Sequence, residues 1–336
     1  MKQSVITNSW LKDDEIGAFM QEIELSFPSA DAVSDIRALI WEPDDVSTTP
    51  ASGIIQILHG MAEHIERYRG FAEFCTSNGY IVCGHDHVGH GKSVDDPDQW
   101  GIMPSDSAGV LVEDAQSFRV LMQKRYPTSE SDDALPYIPF GHSMGSFVLR
   151  MYLTKYAKGL SGAVICGTGH PPAMLSAAGS LIAKFLSATK GDAHRSPFLH
   201  NLTVGAYSKQ IENARTPVDW LSTDDSIVDE YIAAADCGYM FGTGSNATLT
   251  ELTKNVVKRE TVAAVPADLP LLFIAGGNDP VGEKGKAVQA AVDLFKETGH
   301  TNVTLKLYDG MRHEILNEVD KDAVYQDVIQ WIGKLT

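Results

Sequence analysis

Gly141-His142-Ser143-Met144-Gly145 spells G-x-S-x-G, between an extended apolar stretch, Ala134 to Phe140, and a run with helical spacing, Ser146 to Ala157. Strand, sharp turn and helix in that order lift a serine hydroxyl to the end of a sheet and aim a helix N-terminus at it. The two glycines suit a strained turn in which a bulkier residue would strike neighbouring backbone. The five residues alone also match a tight packing turn, so the reading depends on what else the chain supplies.

Outward from the turn, strand patterns alternate with helix patterns. Gly53 to Leu58, Tyr80 to Cys83, Gly162 to Cys166 and Leu271 to Ala275 are short apolar runs bounded by turn residues, as in buried parallel strands. Glu22 to Phe27 and Val303 to Tyr308 alternate polar and apolar, as half-buried strands would, and Ile36 to Glu42 is a further extended candidate. Helical stripes run from Ala108 to Tyr126, through Ala287, Val288, Ala291, Val292 and Phe295, and through Val324, Val328, Trp331, Ile332 and Leu335. This rhythm predicts an α/β fold with a mostly parallel sheet covered on both faces. It stops between about Thr168 and Val265, where helix-like pieces and a polar, Gly-rich stretch (Gly238 to Asn246) offer no buried strand. The expectation is a core of residues 1–167 and 266–336 with an inserted cap or lid, 168–265.

The remaining composition narrows the class. At 336 residues the chain suits one α/β domain carrying an insertion. A formal net charge of -17 argues against nucleic acid and against charge-driven binding to anionic headgroups. Four cysteines without CxxC pairing read as free thiols in a reducing compartment. The first 27 residues lack a basic stretch followed by an apolar one, and no run approaches the roughly 20 apolar residues of a membrane span. The expected location is the cytoplasm, with no integral membrane segment.

A serine hydroxyl needs a general base, and the base needs a group to hold its tautomer. On this kind of turn the acid and then the histidine follow the serine in sequence. Asp279 lies just past the Leu271–Ala275 strand, in Gly276-Gly277-Asn278-Asp279-Pro280, and His313 lies just past the Val303–Tyr308 strand. Both then sit at the carboxyl ends of strands, where open α/β sheets build their sites. Alone, Asp279 reads equally as an Asx-turn residue and His313 as a surface histidine; Asp309 is a reserve acid. Backbone N–H donors for an oxyanion are expected from Met144 and from the loop His59-Gly60-Met61-Ala62-Glu63-His64, with Met61 as candidate. His59 and His64 fit loop ordering better than catalysis.

Taken together, His59–His64, Asp86-His87-Val88-Gly89-His90-Gly91-Lys92-Ser93, Gly141–Gly145 and His313-Glu314 resemble the monoacylglycerol lipase and lysophospholipase branch of the α/β-hydrolases, the serine aminopeptidase S33 type. The likeness runs from about residue 20 to the C-terminus and is weakest across the cap. It implies an eight-stranded α/β-hydrolase sheet, a Ser143/Asp279/His313 triad, an oxyanion hole from Met61 and Met144, and a helical cap over an acyl pocket. His59, Gly60, Met174, Leu181 and Phe185 are candidate substrate contacts. The implied reaction is hydrolysis of single-chain carboxylic esters without cofactor or metal, with transient contact between cap and lipid aggregates. A thioesterase, acyltransferase or aminopeptidase would use the same triad, and a non-catalytic ligand binder would keep the fold while losing part of it. Met61 departs from the small residue usual at its position, and Pro139 departs from what a strand interior normally tolerates.

Two patterns imitate other sites. Asp86 to Ser93 ends like a phosphate-binding loop, but Asp86 stands where the first glycine is required, and a carboxylate repels phosphate. His85, Asp86, His87 and His90 imitate a metal motif without its further acid, so a loop ordered by its own hydrogen bonds is expected.

Overall fold

The computed structural model describes residues 20–44, 50–127 and 135–336. Ala134 and the first 19 residues, on which part of the strand and leader readings rest, lie outside these. The strands are β1 (Met20–Pro28), β2 (Asp35–Pro43), β3 (Gly53–Leu58), β4 (Tyr80–His85), β5 (Tyr137–His142), β6 (Ala163–Cys166), β7 (Leu271–Gly276) and β8 (Val303–Tyr308). They form one sheet in the order β1-β2-β4-β3-β5-β6-β7-β8. β1–β2 and β2–β4 pair antiparallel and every later pair is parallel.

The inner strands β3 to β7 are buried at every residue, because helices cover both faces. Alternate side chains feed two cores. Ile54, Ile81 and Phe273 join α2 (Ala108–Arg125), α3 (Met144–Tyr156) and α10 (Lys286–Glu297) on one face. Ile55, Val82, Phe140 and Leu272 join α1 (Arg69–Ser77) and α11 (Lys321–Ile332) on the other. β8, at the sheet edge, alternates between exposed and half-buried positions.

Pro139 sits in this central sheet without cost to the ladder. In a parallel strand, alternate residues turn their polar groups to the same neighbour. Ser161 N–H donates to the Tyr137 carbonyl at 3.1 Å, so residues 137 and 139 face β6, and the β5–β6 register opens only at Phe140. The missing proline donor falls before β6 begins.

Between β6 and β7 the chain forms α4 (Ala173–Lys190), α5 (Pro197–Leu202), α6 (Val204–Ser208), α7 (Asp225–Ala233), α8 (Thr243–Val256) and α9 (Arg259–Ala263). Part of the polar, Gly-rich stretch at Gly238 to Asn246 is the buried start of α8. Its hydroxyls satisfy backbone of the segment at residues 101–104: Ser245 Oγ donates to Gly101 O at 2.6 Å and accepts from Met103 N, and Thr248 Oγ1 donates to Pro104 O. A Cβ on Gly244 would come within 2.1 Å of Met103 O, so only glycine lets the helix seat there. All four cysteines are free and buried. Among the described residues, no helix is long and apolar enough to cross a membrane.

Candidate active site

Ser143 is the N-cap of α3 and holds φ 53°, ψ −119°, a strained backbone for a residue with a Cβ. The motif glycines make that possible. A Cβ on Gly145 would stand 2.0 Å from Leu58 O, and one on Gly141 would stand 2.5 Å from Gly145 O. The turn is pinned by Ser143 N–H donating to Cys166 O at 3.0 Å.

The structure brings the three separated residues together. Ser143 Oγ lies 2.8 Å from His313 Nε2, and His313 Nδ1 lies 2.9 Å from Asp279 Oδ2. Asp279 and His313 are almost wholly buried. Asp279 Oδ1 accepts from Val281 N–H, which fixes the carboxylate on both oxygens. Asp309 is exposed and takes no part. The loop after β8 crosses directly over the end of β7, where a Cβ on Gly276 would reach within 2.0 Å of Arg312 O. The segment between β6 and β7 also grips this loop: Trp220 packs at a tilt against His313 with centroids 5.1 Å apart, and Leu221 O accepts from Glu314 N–H at 2.7 Å.

Met61 and Met144 both line a cavity of about 820 Å³ beside Ser143, as does Gly60. His59 does not line it. Its ring is fully buried, with Nδ1 at 2.8 Å from Gly60 O and Nε2 accepting from His87 N–H at 3.0 Å, so it orders the loop. Three further expected contacts need correction. Met174, Leu181 and Phe185 are 87%, 72% and 66% exposed and face solvent, while Leu175, Ala178 and Ile182 of the same helix line the cavity. The buried side of α4 is its small one, Ser176, Ser180, Ala183 and Ser187, packed against α8. Small residues let the two helices approach closely, which turns the bulky apolar residues outward.

Sequence reasoning missed the polar network behind the triad. Arg67 clamps Glu314 through two bonds of 2.6 Å and Glu63 through one of 2.7 Å. Glu63 also accepts from Gly60 N–H and Tyr68 Oη–H, and lies 3.4 Å from His142 Nδ1. His142 Nε2 lies 3.2 Å from His313 O. One set of contacts therefore ties the loop carrying Met61 to the loop carrying His313. Burial raises the Glu63 carboxyl, but its bond to His142 and the Arg67 charge outweigh that and hold it well below the usual carboxylate range. Burial opposes charge on His142, yet Glu63 lifts it above the ordinary imidazole value. The buried group thus balances two carboxylates against a guanidinium and an imidazole drawn toward its charged form. The spacing of four between Glu63 and Arg67 is the one local signal that could have pointed to the network; Glu314, 247 positions from Arg67, leaves none.

The decoys resolve simply. Asp86 accepts from the backbone N–H groups of Ile65 and Lys92 and pairs with Arg37, so a carboxylate of the chain fills the loop that imitates a phosphate cradle. His59, His85, His87 and His90 form a buried cluster of tilted and edge-on rings. Burial holds His85 down at about 3 and His90 at about 4.

The sheet order, the strained serine at its C-terminal edge and the hydrogen-bonded acid and imidazole define a serine hydrolase of the α/β-hydrolase fold. The family described as serine aminopeptidase, S33, matches residues 49–320, and the chain belongs to it. It is 28% identical to a monoacylglycerol lipase of Mycolicibacterium smegmatis over 87% of this chain and 91% of that one. It is 26% identical to the human monoglyceride lipase over 88% and 86%. A highly thermostable carboxyl esterase from Bacillus coagulans, solved in complex with glycerol, superposes with a TM-score of 0.85 at 32% identity, covering 94% and 98% of the two chains.

Proposed function

We propose that the protein hydrolyses carboxylic esters of single acyl chains, monoacylglycerols among them, through an acyl-enzyme on Ser143. The observation that carries this is the continuous Ser143–His313–Asp279 hydrogen-bond chain opening on an 820 Å³ cavity lined by Phe147, Leu175, Ile182, Val218 and Leu249 among others. That volume lies in the range of small-molecule sites. Relatives and a structural neighbour named as monoacylglycerol lipases and a carboxyl esterase support it.

In this reading Ser143 Oγ attacks the ester carbonyl while His313 Nε2 accepts its proton. Asp279 holds the imidazole and stabilises its charged form. The N–H groups of Met61 and Met144 receive the oxyanion. His313 returns the proton to the leaving alcohol, then activates water to release the acid. Residues 168–265 act as the cap, and the outward Met174, Leu181 and Phe185, joined by Phe198, give it an apolar exterior that meets lipid aggregates. The aminopeptidase alternative is less favoured, because the relatives and the structural neighbour are named as monoacylglycerol lipases and a carboxyl esterase.

A panel of p-nitrophenyl and monoacylglycerol esters, acetyl to stearoyl, tests the reading together with Ser143→Ala and fluorophosphonate labelling. Turnover should fall by about six orders of magnitude in the variant. Retained activity there, or labelling at another residue, would overturn it.

A further inference from the structure

His64, Asp236 and Cys237 come together outside the triad, and neither the fold nor the proposed hydrolysis uses them as a set. Among the described residues, they are the one group of three metal-ligating side chains whose donor atoms all lie within 4.8 Å of one another. His64 Nε2 is 3.5 Å from Asp236 Oδ2. His64 and Asp236 are half-buried and reachable from solvent, whereas Cys237 is buried behind them.

Main chain holds the two contributing segments in place. His64 precedes the single helical turn Ile65–Tyr68, and Asp236 and Cys237 lie in the turn that follows α7. Gly238 N–H donates to Ala62 O at 2.9 Å, and Tyr231 Oη–H donates to the same carbonyl at 3.1 Å. Cys237 N–H donates to Ala234 O. The donor atoms are thus gathered by backbone bonds that do not depend on an ion.

We propose that His64 Nε2, an Asp236 carboxylate oxygen and Cys237 Sγ form a binding site for a divalent cation of the zinc class, with water as fourth ligand. One imidazole, one carboxylate and one thiolate are the donor types that zinc takes, at about 2.0–2.3 Å. Ligands at those lengths in a tetrahedron lie about 3.3–3.8 Å apart, so donor atoms now within 4.8 Å of one another close by at most about 1–1.5 Å on binding. Hard cations such as magnesium prefer oxygen and are disfavoured by the thiolate and imidazole. Binding converts the Cys237 thiol to thiolate and releases its proton to solvent; nothing is oxidised. Burial otherwise holds that thiol up at about 12, although the nearby Arg67 charge favours the thiolate. Arg67 is itself neutralised by Glu63 and Glu314. An ion here would staple the turn after α7 to the loop bearing Met61.

The experiment uses the full chain without an affinity tag, titrated with cobalt(II) as the spectroscopic stand-in for zinc. The expected result is one equivalent bound with a thiolate-to-cobalt charge-transfer band, displaced by zinc. Cys75, Cys83 and Cys166 are buried apart from the cluster, so the band reports Cys237. Cys237→Ser should abolish the band, and His64→Ala should weaken cobalt affinity by about 100-fold or more, since losing even an outer partner of a ligand costs about 10–100-fold. Asp236→Asn, at the more exposed ligand, gives a third variant if either of these fails to fold, and it should show the same loss. No band in the wild type, or a band unchanged in the variants, overturns the site.

Discussion

Replacing Arg67 with Met removes the guanidinium that bridges two buried carboxylates, and its cost can be worked from the geometry. Glu63 and Glu314 side chains are each 4% exposed, and Arg67 supplies three of their bonds at 2.6–2.7 Å. Their desolvation is already incurred in the fold, so the variant keeps that penalty and loses the compensation. Breaking a buried pair in this way costs about 3–5 kcal/mol. For 336 residues at about 2.1 cal/mol/K each, the unfolding entropy is about 0.7 kcal/mol/K, and Tm should fall by about 4–7 °C at pH 7.5.

The pH dependence gives a sharper check. In the wild type both carboxyls are held below their ordinary values, so their stabilisation is complete above about pH 4.3 and is lost only as pH falls through the lower folded values. In Arg67→Met at least one carboxyl must rise above its unfolded value. That variant is then least destabilised at acid pH and loses ground as pH rises through the raised value. Thermal unfolding followed by circular dichroism between pH 5 and 8 should show the gap between the two proteins widening upward. Glu63 also anchors Gly60 N–H beside the serine, so kcat should drop by about 10–100-fold through a displaced oxyanion loop. A Tm within about 1 °C of wild type, or a drop of the same size at pH 5.5 and 7.5, would refute the reasoning.

Three further outcomes follow from the same structure. Gly145→Ala should abolish turnover and lower the folded yield, measured by ester assay and soluble expression, because its Cβ would sit 2.0 Å from Leu58 O. Acidification from pH 7 to 5.5 should cost the wild type about 2–3 kcal/mol from His85 and His90 alone, read by urea unfolding. Both are held neutral when folded and take up a proton near pH 6.5 when unfolded, so their stability is present above that value and declines below it. Asp279→Asn should keep the fold and cut kcat by about four orders of magnitude, measured with a short p-nitrophenyl ester, as the imidazole loses its orienting anion.

The parallel core was legible because buried strands cannot be disguised. Gly53–Leu58 appears at the boundaries its apolar run predicts, and the edge strand Val303–Tyr308 at those its alternation predicts. Ser143, Asp279 and His313 were legible for a related reason, since each follows a strand whose end the sequence marks. What was hidden depends on close approach. The burial of the first turn of α8, with Thr243, Gly244, Ser245 and Asn246, was not legible because Ser245 is satisfied by backbone at residues 101 and 103, distant in the chain. The Arg67–Glu314 clamp was hidden likewise, as no local pattern reports a partner so far along the sequence.

The inversion of α4 carries the argument furthest, because it reverses what an apolar stripe ordinarily means. A stripe normally faces the core. Here Ser176, Ser180 and Ala183 take that face and leave Met174, Leu181 and Phe185 in water. Burying side chains of this size yields about 1.5–3 kcal/mol each, so the fold forgoes several kcal/mol on this face. A chain that only needed to seat a helix had no reason to place them there. On the proposed reading, contact with lipid would recover that energy, while Leu175 and Ile182, one step round the helix, stand at the cavity wall. Discounted for their present exposure, the three outward residues are worth about 4 kcal/mol at a lipid surface, or about a thousand-fold in partitioning. Met174→Ser/Leu181→Ser/Phe185→Ser should therefore lose vesicle binding in a flotation assay and slow hydrolysis of dispersed long-chain monoacylglycerol. It should leave a soluble short-chain ester turned over as before. Equal loss on both substrates would place these residues in the pocket after all and defeat the interfacial reading.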